Sequence, residues 1–307
     1  METFDIVVIG AGPGGYPAAI RAAQLGASVA IVEKEQLGGT CLNWGCVPTK
    51  ALIAAADTFA RIKHAEAFGI TVQGASVDYA VMIGHKNKVV SQLQGGIKQL
   101  LAANGVKQFA GIASFKDRNT ITIAGNGTRT PASEPQTLSA KKVIIATGST
   151  SVMPGFLPKH ERVVESRGFL DLTRLPETML VLGGGFIGCE LACMAAMLGV
   201  KVTIVELLED ILLLLDPDVR REVRAHMEKS LGIRVLTGKA LEKIAANDKG
   251  VSGNFGDEVL KADLLLSAIG RKPVTEGLKL ENAGVKVSER GFIEADDCCR
   301  TNVATIF

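Results

Sequence analysis

At 307 residues, with 47% hydrophobic and 21% charged side chains, the chain has material for about two domains whose cores need no disulfide staples. A formal net charge of +2 gives no warrant for a nucleic-acid or membrane partner. The most apolar run, 179–200, is broken by Glu190 and glycines, and the first residues show no basic, cleavable leader, so a cytoplasmic protein is expected.

The first predicted strand, 6–9, runs into Gly10-Ala11-Gly12-Pro13-Gly14-Gly15, then a helical pattern, then a second apolar strand closing on Glu33. Each part has a physical task in dinucleotide binding. The first glycine makes the turn, the second lets backbone approach a pyrophosphate, and the third packs helix on sheet. The helix N-terminus faces the phosphate charge, and the acid can accept hydrogen bonds from a ribose hydroxyl.

Next comes Gly38-Gly39-Thr40-Cys41-Leu42-Asn43-Trp44-Gly45-Cys46-Val47-Pro48-Thr49-Lys50. If this run opens a helix, cysteines five apart lie about 7.5 Å apart along the axis. A disulfide wants Cα atoms within about 7 Å, so bridging them requires a distorted first turn that Gly45 would ease. A strained bond near a helix N-terminus is readily reduced, and thiolates there are stabilised. The alternative is a pair of buried, reduced cysteines.

Helical patterns then cover 50–67 and 78–103, a β-rich stretch spans 106–124, and the polar residues 125–136 read as a turn. Residues 143–148 read as a buried strand leaving the first domain. Residues 149–178, with Pro154, Pro158 and Pro176, connect to the second.

The strand at 179–182 begins a second copy of the opening unit. Gly183, Gly185, Gly188, Ala192, Leu198, Gly199, Val202, Ile204, Val205 and Glu206 each stand 173 positions after a like residue of the first copy (183 − 10, 206 − 33). One such loop is a weak signal, since glycines also merely shape turns; two in register are a strong one. Glu206 would repel a ribose 2′-phosphate, so NAD is expected over NADP, and Lys201, which precedes the strand, is poorly placed to read that phosphate. The run 206–218 contains 211–215, read as a packing patch, and the exit strand 264–270 echoes 146–148.

The six cysteines fall as close pairs, 41/46, 189/193 and 298/299, while the histidines at 64, 85, 160 and 226 are scattered, so no metal site is expected.

GGTCLNWGCVPTK, both glycine loops with their glutamates, ATG at 146–148, AIGRKP at 268–273 and RGFIEADDCCRTN at 290–302 resemble the flavin-dependent pyridine nucleotide-disulfide oxidoreductases in order and spacing. The chain is most similar to their dihydrolipoamide dehydrogenase branch. The resemblance covers essentially the whole chain. It implies an α/β fold of two Rossmann-like FAD/NAD(P)-binding domains with ββα layers: 1–148 for FAD, 149–275 for NAD, and 276–307 beginning a return to the first.

On the same basis FAD would lie on Gly10, Gly12, Gly14, Gly15, Glu33, Lys34, Gly39, Thr40, Lys50, Ala146, Thr147 and Gly148. NAD would lie on Gly183, Gly185, Ile187, Gly188, Glu206, Ala268 and Gly270. Cys41 is implied as the interchange thiol and Cys46 as the flavin-side thiol. Lys50 would be a buried ammonium paired with Glu190 near the flavin. The implied reaction runs from dihydrolipoamide through a Cys41–Cys46 disulfide and FAD to NAD. The implied partner is a lipoyl-bearing subunit of a 2-oxo acid dehydrogenase or glycine cleavage complex.

The family pattern continues beyond Phe307 with a glycine–aspartate for FAD and an interface domain. That domain builds a homodimer and supplies an acid–base histidine, which none of the four histidines here matches. The interface domain is therefore expected to be absent, dimerisation is open, and NAD binding is expected to exceed dithiol turnover. The competing functions are a mercuric or glutathione-type reductase and a non-catalytic dinucleotide-binding protein. Leu207 and Leu208, where an NADP enzyme should carry basic residues, speak against the glutathione type. The retained Cys41 and Cys46 speak against the non-catalytic one.

Overall fold

The computed structural model describes residues 1–125 and 135–307, so most of the predicted turn at 125–136 lies outside the described residues. The chain forms two compact units. One comprises Met1–Asn43, Val90–Thr150 and Lys272–Phe307, the other Trp44–Val89 and Ser151–Arg271.

The first unit is built on a six-stranded sheet in the order Lys107–Ala110, Val29–Glu33, Glu2–Ile9, Gln136–Ile145, Thr120–Ala124, Ile112–Asp117. The first four strands are mutually parallel and the last two antiparallel. Successive residues of a strand point to opposite faces, and both Val7 and Val8 are fully buried, so this central strand is covered on both sides as parallel sheets require. Val8 packs with Ala19, Val29, Ile31 and Leu101 on one face. Val7 packs with Ala30, Phe115, Leu138 and the returning Val303 and Ile306 on the other. Residues 305–307 lie beside the exit strand: Val143 N–H donates to Thr305 O (2.9 Å) and Ile145 N–H to Phe307 O (2.7 Å).

The second unit carries a parallel sheet in the order Arg234–Thr237, Lys201–Glu206, Thr178–Leu182, Leu264–Ser267, Val163–Glu165. An antiparallel sheet of Glu242–Asn247, Gly250–Phe255 and Glu258–Ala262 accompanies it. The helix Phe186–Met197 is apolar nearly all round and sits in the core, where Cys189, Leu191, Ala192 and Met194 are buried. Leu52 and Ala56 of the helix Cys46–Lys63 join the same core.

The predicted strands, glycine loops and long helices form near where the periodicities put them; the helix read over 50–67 runs instead over Cys46–Lys63, followed by the 3-10 helix Ala65–Phe68. The exit strands stop at Ile145 and Ser267, because Ala146 and Ala268 leave the ladder to meet the glycine loops. Within the connector 149–178, Val163–Glu165 adds an edge strand, too short for its alternation to register. The run 211–215 packs on the core through Ile211, Leu212 and Leu215, while Leu214 is 88% exposed. Among the described residues no helix is long and apolar enough to cross a membrane.

Candidate functional site

The internal repeat extends to individual hydrogen bonds. In the first copy Gly10 N–H donates to Val32 O (2.8 Å) and Ala146 N–H to Ile9 O (2.8 Å); in the second Gly183 N–H donates to Val205 O (2.9 Å) and Ala268 N–H to Leu182 O (2.8 Å). Each terminal glutamate uses both oxygens on its own loop. Glu33 accepts from Ala11 N–H and Glu35 N–H, both at 2.7 Å. Glu206 accepts from Gly184 N–H (2.6 Å) and Leu208 N–H (2.8 Å). The acids thus brace the turns, and since an ionised carboxylate has about four acceptor sites, each keeps capacity for a ribose hydroxyl.

The glycines separate into two kinds. A Cβ on Gly15 would fall 1.8 Å from Gly10 O, and one on Gly188 would fall 2.0 Å from Gly183 O. Gly10 and Gly183 are left-handed (φ 100° and 107°) and would press on Ala146 O and Ala268 O. These residues are glycine because the fold leaves no room. Gly185 is different: a Cβ there meets nothing within 4 Å. The protein gives no steric reason for glycine at that position, whereas a closely approaching ligand would. Gly12 faces only Gly39, at 3.7 Å, and Gly14 only the Ala146 methyl, at 3.9 Å. Two helices begin at these loops, Gly15–Gln24 and Phe186–Met197, so positive dipole ends face both turns; in the first, Gly15 and Tyr16 N–H donate to Gly12 O (2.9 and 3.1 Å) and Pro17 has no N–H.

The cysteine segment is seated on the first loop. Gly38 N–H donates to Ala11 O (2.8 Å), and Gly39, left-handed at φ 58°, lies so close that its Cβ would fall 2.6 Å from Gly12 Cα. Thr40 and Cys41 follow in the helix Gly39–Trp44. Asn43 Nδ2 ties this turn to Leu37 O (3.0 Å) and Gly39 O (2.8 Å), and the Gln94 amide donates to Asn43 Oδ1. The helix breaks at Gly45 (φ −138°, ψ −117°), and Cys46 opens the next one, exposed, with Thr49 capping back onto Gly45 O. The distortion expected between the cysteines is present at that glycine. At the exit, Thr147 Oγ1 donates to Val274 O (2.6 Å) and Gly148 O accepts from Val274 N–H (3.0 Å). Lys34 lies exposed after the second strand.

One turn on from Cys46, Lys50 Nζ donates to both oxygens of Glu190, at 2.6 and 2.8 Å, so the implied partners do meet. The Lys50 side chain is 57% exposed and that of Glu190 40%. An exposed pair of this kind contributes only about 0–1 kcal/mol, so the helix packing of Leu52 and Ala56 holds the geometry. Ile187, half-buried, packs beside the second loop, and Gly270 O accepts from Val152 N–H (3.0 Å).

A network around Trp44 was not foreseen from sequence. Arg167 Cζ lies 3.9 Å from the centre of the Trp44 ring. Glu165 caps the short helix Ser166–Leu170 by accepting from Arg167 and Gly168 N–H, and it also accepts from Ser151 Oγ (2.9 Å), which in turn accepts from Arg271 (3.3 Å). The Arg of AIGRKP is thereby linked to the residue two before Cys46. Trp44 in the cysteine motif is a visible signal; nothing in the sequence marks Arg167 as its partner.

The other helix cysteines are chemically quiet. Burial pushes the Cys189 thiol up to about 12, with the neighbouring Cys193 adding to it, and burial pushes Cys193 up to about 11. Both stay protonated at neutral pH, and the thiolate is the reactive form.

Two dinucleotide-type glycine loops, one with a cysteine segment seated on it, define an α/β protein of the dinucleotide-binding class. The chain matches the pyridine nucleotide-disulphide oxidoreductase family over residues 4–307 and belongs to it. It is similar to the dihydrolipoyl dehydrogenases of Chlamydia pneumoniae (40% identical, 100% of this chain and 65% of that protein) and Haloferax volcanii (43%, 99% and 64%). In structure it is similar to the HOCl-induced flavoprotein disulfide reductase RclA of Escherichia coli in its Cu(II) complex. The TM-score there is 0.87, with 30% identity over 100% of this chain and 65% of that one. The chain therefore spans about 65% of the length of these relatives.

Proposed function

We propose that the chain forms the dinucleotide-binding part of a dihydrolipoyl dehydrogenase, an oxidoreductase moving an electron pair between a dithiol and NAD. The observation that carries this reading is the seating of the Cys41 segment on the first glycine loop through Gly38 and Gly39. The first unit would hold FAD on Gly10, Gly12, Gly14, Gly15, Glu33, Lys34, Gly39, Thr40, Ala146, Thr147 and Gly148. The second would hold NAD on Gly183, Gly185, Ile187, Gly188, Glu206, Ala268 and Gly270. The residues fit: each loop ends at a helix N-terminus whose dipole favours a pyrophosphate and carries a carboxylate for a ribose, and Gly185 leaves open the space a ligand would fill. FAD and NAD, when bound, would supply the two-electron chemistry that no side chain here possesses.

The chain's own part begins with thiol exchange. A substrate thiolate attacks the Cys41 sulfur of a Cys41–Cys46 disulfide, and Cys46 leaves as thiolate. The second substrate thiolate then closes on the first, releasing reduced Cys41 and a substrate disulfide, so one electron pair passes to the cysteines. Lys50, held by Glu190, supplies a fixed positive charge to compensate negative charge developing nearby. Glu206, followed by Leu207 and Leu208, favours NAD over NADP.

The partner in this reading is a lipoyl-bearing subunit of a 2-oxo acid dehydrogenase or glycine cleavage complex, in a reducing, cytoplasmic setting. Anaerobic mixing of the FAD-loaded chain with dihydrolipoamide tests the proposal. Bleaching of the flavin band that vanishes in Cys41→Ser and Cys46→Ser is expected; equal bleaching in those variants would overturn it.

A further inference from the structure

Cys298 and Cys299 play no part in the reading above, yet the fold presents them in an unusual way. They belong to a three-residue hairpin loop between Asp296 and Arg300. Asp296 N–H donates to Arg300 O (3.0 Å), Cys299 N–H donates to Asp296 O (2.9 Å), and Ala295 bridges antiparallel to Thr301. Three-residue hairpin loops of this kind ordinarily place glycine in the left-handed position. Here the left-handed position is taken by Cys299, at φ 60°. A side chain there strains the backbone, and the strain is held in place by Asp296, whose Oδ1 accepts from Cys298 N–H (2.9 Å) and Arg300 N–H (2.8 Å).

Both cysteines are free and exposed. Their Cα atoms are about 3.8 Å apart across one peptide bond, so two rotatable thiols rise from one fixed turn and can close on a single atom. The Cys189/Cys193 pair offers no such access, being largely enclosed in the helix core. The three-residue loop carries two thiols, one carboxylate (Asp297) and no histidine, a sulfur-rich donor set that favours soft centres over magnesium or calcium.

We propose that Cys298 and Cys299 form a second, vicinal dithiol site, separate from Cys41 and Cys46, that chelates soft thiophilic ions of the trivalent-arsenic type. With an organoarsenic oxide the step is a condensation. Two As–S bonds form, the As–O bond breaks, the oxygen leaves as water carrying both thiol protons, and neither arsenic nor sulfur changes oxidation state.

The test uses phenylarsine oxide on the purified, reduced chain carrying Cys41→Ser and Cys46→Ser, read by intact mass. One arsenical per chain is expected, resisting excess monothiol and released by a dithiol. Adding Cys298→Ser should weaken retention on the order of 100-fold, because chelation becomes single-point attachment. Adding Cys299→Gly instead should weaken retention to the same extent without lowering the melting temperature, since glycine relieves the left-handed strain. Absence of the adduct from the Cys41→Ser/Cys46→Ser chain, or its undiminished retention after Cys299→Gly, would overturn the proposal.

Discussion

Opposite the first glycine loop, the residue in left-handed backbone is Gly39 (φ 58°), and 173 positions on, opposite the second, it is Leu212 (φ 54°). In the first unit the backbone itself closes on the loop, with Gly38 N–H on Ala11 O and Gly39 against Gly12. In the second, Leu212 N–H bonds Gly184 O (2.8 Å), and the buried side chains of Ile211 and Leu212 fill the space. One skeleton has been closed by bare backbone in one place and by apolar side chains in the other. Only the bare closure lets a cysteine-bearing helix start beside the loop, which is where the two copies part in chemistry.

The sharpest way to break this comparison is to put a methyl where the fold has no room. Gly188→Ala, whose Cβ would overlap Gly183 O, should cost about 3 kcal/mol or more in urea unfolding or prevent folding. Gly185→Ala should stay within about 0.5 kcal/mol of the wild type. It should nevertheless weaken NADH binding at least about tenfold, the equivalent of about 1.4 kcal/mol, in a calorimetric titration. Equal stability losses at the two positions would collapse the distinction between fold glycines and ligand glycines.

Glu206→Ala is expected to cost about 1–3 kcal/mol in unfolding, because Gly184 and Leu208 N–H lose a charged acceptor. It should also narrow the NADH-over-NADPH preference in parallel binding titrations.

Alkaline pH gives a smaller, signed effect. Cys189 and Cys193 have folded-state values above the ordinary thiol value of 9.0, so the unfolded chain ionises first. Stability should be intact below pH 9 and fall as pH rises from there toward 11–12, by about 1 kcal/mol per pH unit for each thiol. Urea midpoints at pH 8 and pH 10 should differ less in Cys189→Ala than in the wild type. Smallest of all, Arg167→Ala should cost about 0.5–1 kcal/mol through loss of the stack on Trp44, measured by the same unfolding curves.

The loops, their strands and both glutamates were legible in the sequence because each leaves a local mark: a glycine at fixed spacing, an apolar run, a terminal acid. The same holds for the break at Gly45. Long-range partnerships leave no such mark. Lys50 and Glu190, 140 residues apart, entered by resemblance alone, and their exposure depends on how the helices Cys46–Lys63 and Phe186–Met197 pack. Leu212 in left-handed backbone defies the local rule that points to glycine or asparagine, so pattern reading passed over it. The edge strand Val163–Glu165 is specified by its neighbour Leu264–Ser267 rather than by its own three residues.

Whether a dithiol and a flavin share electrons in this chain is decided most directly by an anaerobic dithionite titration of the FAD-loaded protein, which counts them. Two electron pairs per flavin are expected in the wild type, one for the ring and one for the cysteines, falling to one pair in Cys41→Ser/Cys46→Ser. Uptake of a single pair by the wild type would contradict such sharing.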